Sequence, residues 1–274
     1  MRVISFGEVV VDEFPSERVV AGSPLHVAVH LATAGWHAYL LTSVGADDDG
    51  ASARRVLEER SVDTSLVQTH PTLPTGTVSV DMSGTQHGFT IHGPAAWDEI
   101  EIVDDLPKHD VFCCATLAGR SKVTRATLFD VLARSAEFKA IDVNLRPPEP
   151  FGAALDGGLR HATVAKMGGD ELPLVAAEFD VEPRPQALLE AFPNIAWLAV
   201  SKGVDGAELY ARSGDFWRAE APRVPVVDTV GAGDAFFAGL VDALYRGLDG
   251  RQALAAAQER AALTIGRRGG LPPP

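Results

Sequence analysis

A carboxylate closes the run Gly231-Ala232-Gly233-Asp234, which lies between an apolar, β-branched stretch and an amphipathic helical pattern; residues 226–239 read as a strand, a turn and a helix start. The first N–H groups of a helix lack intrahelical partners, and the macrodipole adds partial positive charge there. Anions are favoured at that spot, and glycine at 231 and 233 leaves room for a phosphate to approach the amides. Asp234 competes with a phosphate for the same positive end. That conflict has a chemical resolution: amides that hold a transferring phosphoryl group, next to a base that takes a proton from an incoming hydroxyl. The plainer alternative is an acid that favours the first helical turn and glycines that make a tight turn. The tetrapeptide alone does not separate the two.

Two better-known phosphate motifs are excluded. No G-x-x-x-x-G-K-[ST] occurs, and Phe236 stands where a dinucleotide fingerprint would need its third glycine. The chain has 274 residues, 46% of them hydrophobic, which suffices for a large core. Its net charge of −13, with no Lys/Arg-rich stripe, argues against a nucleic-acid partner. The opening MRVISFGEVVVDEF carries acids among its first residues, and no apolar run approaches the ~20 residues that span a bilayer. No membrane association is expected, and the expected location is the cytoplasm. Cys113 and Cys114 are the only cysteines; neighbours in an apolar run read as buried strand residues rather than a disulfide or a zinc site.

The elements that must position Asp234 follow from an alternation of short β-rich runs with helical patterns. RVISFG, PLHVAVHLATAG, AYLLTSVG and ASARRVLEERS open the series. Further strands are expected at 111–116, 138–144, 163–167 and 195–202, and helices at about 121–135, 170–178, 185–192, 234–246 and 250–265. The expected fold class is α/β, a doubly wound, mainly parallel sheet with helices on both faces, in one domain spanning 1–274. Residues 75–92 break the rhythm, reading as two alternating strands around Ser83-Gly84-Thr85 with no helix between them. With residues 9–20 they are expected to form a small β lid over the carboxyl edge of the main sheet, where open α/β sheets bind ligands.

Five more segments accompany the 228–240 stretch DTVGAGDAFFAGL: Gly7-Glu8 with Asp12, Ala21-Gly22-Ser23-Pro24-Leu25, TGTVSV at 75–80, AAWDEI at 95–100, and DVNLRPP at 142–148. Together they resemble the PfkB or ribokinase-like sugar kinases almost end to end, and within these the bacterial fructokinase branch.

The resemblance implies ATP-dependent transfer of a γ-phosphoryl group to a sugar hydroxyl, with Mg²⁺ bridging the phosphates. Asp234 would be the base, and the amides of Gly231, Ala232 and Gly233 the anion hole. Asp12 and Gly22 match sugar-binding positions, although Ala21 replaces the other glycine of a usual pair. His26 stands where an asparagine is expected to touch the sugar, and its imidazole offers one donor and one acceptor. Asn144 and Arg146 lie at a strand end on the ligand side; Arg146 suits an acidic group, or equally braces the lid or a carboxylate. Glu171 matches the acid of a metal-linked N-x-x-E whose asparagine is here Gly168. Ser201, Lys202, Gly203 and Gly206 match the strand end near the ATP phosphates, and Gln258 replaces a common asparagine by the adenine pocket. Gly266 replaces a usual threonine. Alternatives that the residues leave open are a kinase of a keto-deoxy sugar acid or nucleoside, and a non-catalytic relative with weakened nucleotide binding. Pairing of two chains through the lid is a further expectation.

Overall fold

Apolar, β-branched runs separated by capped helical stretches dictate the element order of the computed structural model, which describes residues 1–81, 88–148, 151–267 and 269–272. The N-terminal part comprises β1 (Arg2–Phe6), β2 (Val10–Glu13), β3 (Arg18–Ala21), α1 (Ser23–Thr33), β4 (His37–Gly45), α2 (Asp48–Glu59), β5 (Val62–Asp63) and β6 (Val67–His70). There follow β7 (Gly76–Asp81), β8 (Gly88–Ile91), β9 (Val111–Ala115), α3 (Lys122–Arg134), β10 (Phe138–Asp142), α4 (Gly152–His161) and β11 (Val164–Gly168). The chain continues with α5 (Leu172–Glu178), α6 (Pro185–Ala191), β12 (Trp197–Ser201), β13 (Ala207–Ala211), β14 (Phe216–Ala219), α7 (Ala232–Tyr245) and α8 (Gly250–Ile265).

The main sheet runs β14-β13-β12-β11-β10-β9-β1-β4-β5, with β6 also on β4. It is parallel from β12 through β5, and β13 and β14 add an antiparallel hairpin at one edge. Successive side chains of a strand point to opposite faces, and here both faces are apolar. Val3, Val111, Cys113 and Ala140 join a core with α1, α7 and α8. Ile4, Phe112, Cys114 and Ile141 join the other core with α3 and α4. Cys113 and Cys114 therefore project to opposite sides, and both are free thiols.

A second sheet, β3-β2-β7-β8, lies over the carboxyl ends of the main strands. β2 and β7 are parallel while both outer pairs are antiparallel, and the register aligns Asp12 with Val78 and Val78 with Ile91. The expected turn at Ser83-Gly84-Thr85 lies outside the described residues.

One expected strand is absent. Residues 226–230 form a loop in which the Val227 and Asp228 amides donate to the single carbonyl of Ile265, at 2.8 and 3.3 Å. The sheet edge is already occupied by the β13–β14 hairpin, so the β-branched residues have no ladder to join, and Val226 and Val227 stay more than half exposed.

Candidate active site

The carboxyl ends of β1 and β10, the starts of α1 and α7, and the inner face of the small sheet enclose a cavity of about 690 Å³. Asp12, Gly22, His26, Asn144, Arg146, Gly231, Gly233 and Asp234 all line it. Its ceiling is apolar: Val10, Val78, Phe89 and Ile91 come from the small sheet, and Leu117 faces them.

α7 begins immediately after Gly231, whose φ of 72° is left-handed and favours glycine. A Cβ there would also lie 2.4 Å from the Gly270 Cα, so the turn and the C-terminal segment touch backbone to backbone. Asp234 falls in the first turn of this helix with its side chain 13% exposed. Both carboxylate oxygens are held: the Ser23 hydroxyl donates to Oδ1 at 2.6 Å, and His26 Nδ1 lies 2.8 Å from Oδ2. Burial raises the Asp234 pKa, but the His26 hydrogen bond and charge, the Ser23 hydroxyl and the nearby Lys166 ammonium together bring it below the usual aspartate value. Asp234 is accordingly a carboxylate at neutral pH. Of the three expected anion-hole amides, that of Ala232 turns back to the Thr229 carbonyl at 3.3 Å, and Ala232 is not in the cavity wall. The helix start closes the turn on itself there, which leaves Gly231 and Gly233 at the cavity.

Beneath the turn lies an ion pair that motif reading passed over. Lys166 Nζ is 3.0 Å from both oxygens of Asp142, and both side chains are buried. The β10–β11 register places the two residues directly side by side. Burial opposes the Lys166 charge, but Asp142, Glu171 and Asp234 raise its pKa, so it remains an ammonium. Lys166 is the one charge in the apolar strand β11, and Asp142 the acid at the end of the neighbouring β10, and that was the available signal. Glu8 was also missed as a site residue in its own right. It lines the cavity, is buried, and desolvation pushes its pKa up to about 7.

Glu171 stands outside that cavity and closes a loop. Its two carboxylate oxygens accept the Leu145 and Gly168 amides, each at 2.5 Å. A side chain at 168 would begin 2.5 Å from Asp170 Oδ1, which accounts locally for the glycine. Ser201, Lys202, Gly203 and Gly206 cluster at the carboxyl end of β12. There Lys202 pairs with Glu208 at 2.6 Å, and the Ser201 carbonyl accepts the Gly169 amide at 2.8 Å, next to the Glu171 loop. Gln258 is buried on α8. None of these five expected nucleotide residues lines the cavity of Asp234. Among the described residues, no helix is long and apolar enough to cross a membrane.

The arrangement offers a buried base beside a helix start, with polar side chains able to hold a hydroxylated ligand under an apolar ceiling. Comparison with known proteins agrees with this chemistry. The fructokinase of Salmonella typhimurium is 30% identical over 261 residues, covering 89% of this chain and 84% of the relative. The aminoimidazole riboside kinase of Salmonella typhimurium is 26% identical over 262 residues, covering 89% and 81%. The fold matches a solved fructokinase with bound ATP from Xylella fastidiosa with a TM-score of 0.84 at 21% identity, over 98% of this chain and 93% of that one. The family model for pfkB family carbohydrate kinases matches residues 3–273, and the chain belongs to that family.

Proposed function

We propose that this carbohydrate kinase phosphorylates a fructose-like sugar in the cavity beneath the small sheet, with Asp234 as the base and the sheet as a lid. The observation that carries the reading is the mostly buried Asp234 carboxylate on the first turn of α7, in the cavity wall. Asp12, Gly22, Asn144 and Arg146 are positioned to hold sugar hydroxyls, while Val78, Phe89 and Ile91 cover the apolar face of the ring.

As a member of this family the chain is a phosphotransferase with ATP as donor and a sugar hydroxyl as acceptor. Asp234 takes the hydroxyl proton as the oxygen bonds to the γ-phosphorus, and the bond between that phosphorus and the bridging oxygen of ADP breaks. Proton removal by a positioned base contributes about 10²–10⁴-fold. The start of α7 at Gly231 and Gly233 would hold the phosphoryl oxygens, where fixed dipoles stabilise developing charge. The β12 end, with Ser201, Lys202, Gly203 and Gly206, and the buried Gln258 would hold the nucleotide. Among the described residues no three His, Cys, Asp or Glu side chains gather into an ion cage. Glu171 keeps lone pairs beyond its two backbone donors, and one carboxylate acting through water fits a magnesium ion carried by ATP phosphates. When bound, that ion neutralises phosphate charge. We also assign the lid sheet as a pairing surface for a second copy and the cytoplasm as the site of action.

The test is ADP release with Mg²⁺-ATP across fructose, other hexoses, keto-deoxy sugar acids and nucleosides. Turnover on fructose is expected. A preference for a sugar acid or nucleoside moves the substrate class, and no turnover on any of them refutes the kinase reading. Asp234→Asn should keep the fold and lower kcat by at least about 10²-fold; turnover near the parent level refutes the base assignment.

A further inference from the structure

We propose that His26 is the positioning residue of the base: its Nδ1–H, and not a contact with the sugar, aims the Asp234 carboxylate at the reacting hydroxyl. The inference rests on the assignment of Asp234 as the base. A carboxylate oxygen can only accept, so the 2.8 Å contact between His26 Nδ1 and Asp234 Oδ2 places the proton on Nδ1. The ring cannot swing away. It is 5% exposed, it belongs to α1, and the Gly270 backbone is pressed against it so closely that a Cβ there would lie 2.7 Å from the ring Cε1. Gly270 is fixed in turn by its carbonyl, which accepts from His30 Nε2 at 3.0 Å.

With Ser23 on Oδ1 and His26 on Oδ2, the carboxylate is gripped on both arms by two residues of one helix, and its remaining lone pairs are left for the cavity. The same bond carries a cost in basicity that depends on the protonation of the ring. A neutral imidazole donates a hydrogen bond and leaves Asp234 a usable base. A second proton on the ring makes the partner a cation, which stabilises the carboxylate and weakens it as a proton acceptor. The charged groups facing the pair are Asp12 on β2, Lys166 on β11 and Asp142 on β10, with Glu8 and Arg146 in the same cavity wall. His30, one turn along α1, is driven down to about 4 by burial and stays neutral.

The experiment compares His26→Asn with His26→Leu. An asparagine amide nitrogen occupies the place of Nδ1 and still donates, but cannot gain a second proton; leucine removes the donor. Expected for His26→Leu is a kcat lower by on the order of 100-fold, the cost of a misaimed group, with the KM for sugar changed less than about threefold. Expected for His26→Asn is a kcat within about threefold of the parent, rescue by a side chain that still donates. Equal losses of kcat in the two variants overturn the inference, as does a loss confined to the sugar KM. Imidazole ¹⁵N spectra provide a readout free of turnover. The parent should show the Nδ1–H form of His26, and Asp234→Asn should disturb it. A parent chain that shows this form but transfers no phosphoryl group overturns the kinase reading, while an active parent without it overturns the positioning role alone.

Discussion

Replacing Lys166 by methionine removes one half of the buried ion pair under the turn that starts α7 and leaves the other half in place. The side chains of Lys166 and Asp142 are 8% and 2% exposed, and the ammonium is 3.0 Å from both carboxylate oxygens. At that distance and an effective dielectric of about 20, the attraction is about 5–6 kcal/mol, most of it offset by the desolvation of two ions. The single variant loses the attraction and leaves a desolvated carboxyl that must stay charged or take up a proton, since burial, Glu171 and Asp234 push it up to about 7 even beside Lys166. Lys166→Met should therefore cost about 3–5 kcal/mol, or about 6–20 °C in Tm for a chain of this size. Adding Asp142→Asn removes the stranded charge and should recover much of the loss. Urea unfolding of the parent, both single variants and the double variant yields the coupling directly. The reasoning is refuted if Lys166→Met lies within about 1 kcal/mol of the parent, or if the double variant is as unstable as the two single losses summed.

Two further outcomes concern neighbouring residues. Glu8, raised by burial from 4.5 to about 7, binds its proton more tightly in the folded chain than in the unfolded one. The stability it contributes is complete below pH 4.5 and is lost as pH rises through about 7, a change of about 3 kcal/mol at most. Glu8→Gln cannot ionise, so its Tm should gain on the parent between about pH 5 and about pH 8; a difference that stays constant with pH speaks against the burial effect. Asp12 and Asp142 titrate over a similar range in both proteins and cancel from the comparison. Gly231→Ala should cost about 1–3 kcal/mol through its left-handed φ and the collision with Gly270, and should lower kcat as the start of α7 shifts. Parent-like melting and turnover would mean that the turn yields easily.

Much of this architecture was legible because pattern and packing agree. The parallel strands are near-continuous apolar runs, and most helices were visible in the spacing of their apolar residues. The helix α4 was not, because Gly157 and Gly158 lower helical propensity; Gly158 is there because a Cβ would lie 2.1 Å from Ile141 Cδ1. The hairpin of β13 and β14 escaped notice as well, and with it the reason that Val226 and Val227 belong to a loop. At the site, Asp234, Asp12 and Asn144 could be placed because each ends a strand or starts a helix beside a recognisable motif. Their partners could not. Ser23 with Asp234, His26 with Asp234 and Asp142 with Lys166 are contacts created by the way the sheet stacks its helices, and no local spacing encodes them. Resemblance pointed His26 toward the ligand; the fold puts it in the cavity wall with its Nδ1 on Asp234, a contact the sequence did not show.

The grip of α1 and the C-terminal segment on the start of α7 also bears on when this enzyme can first act. His26 and Asp234 are 208 positions apart, and His30 reaches 240 positions along the chain to Gly270. Such closures come at a cost in chain entropy and tend to form slowly. A chain emerging from the ribosome can pair β1 with β4 long before it possesses α7, and it has no wall behind His26 until the segment around Gly270 has been made. With Asp234 as the base, phosphoryl transfer has to wait for these two late closures, and turnover doubles as a readout that they have formed.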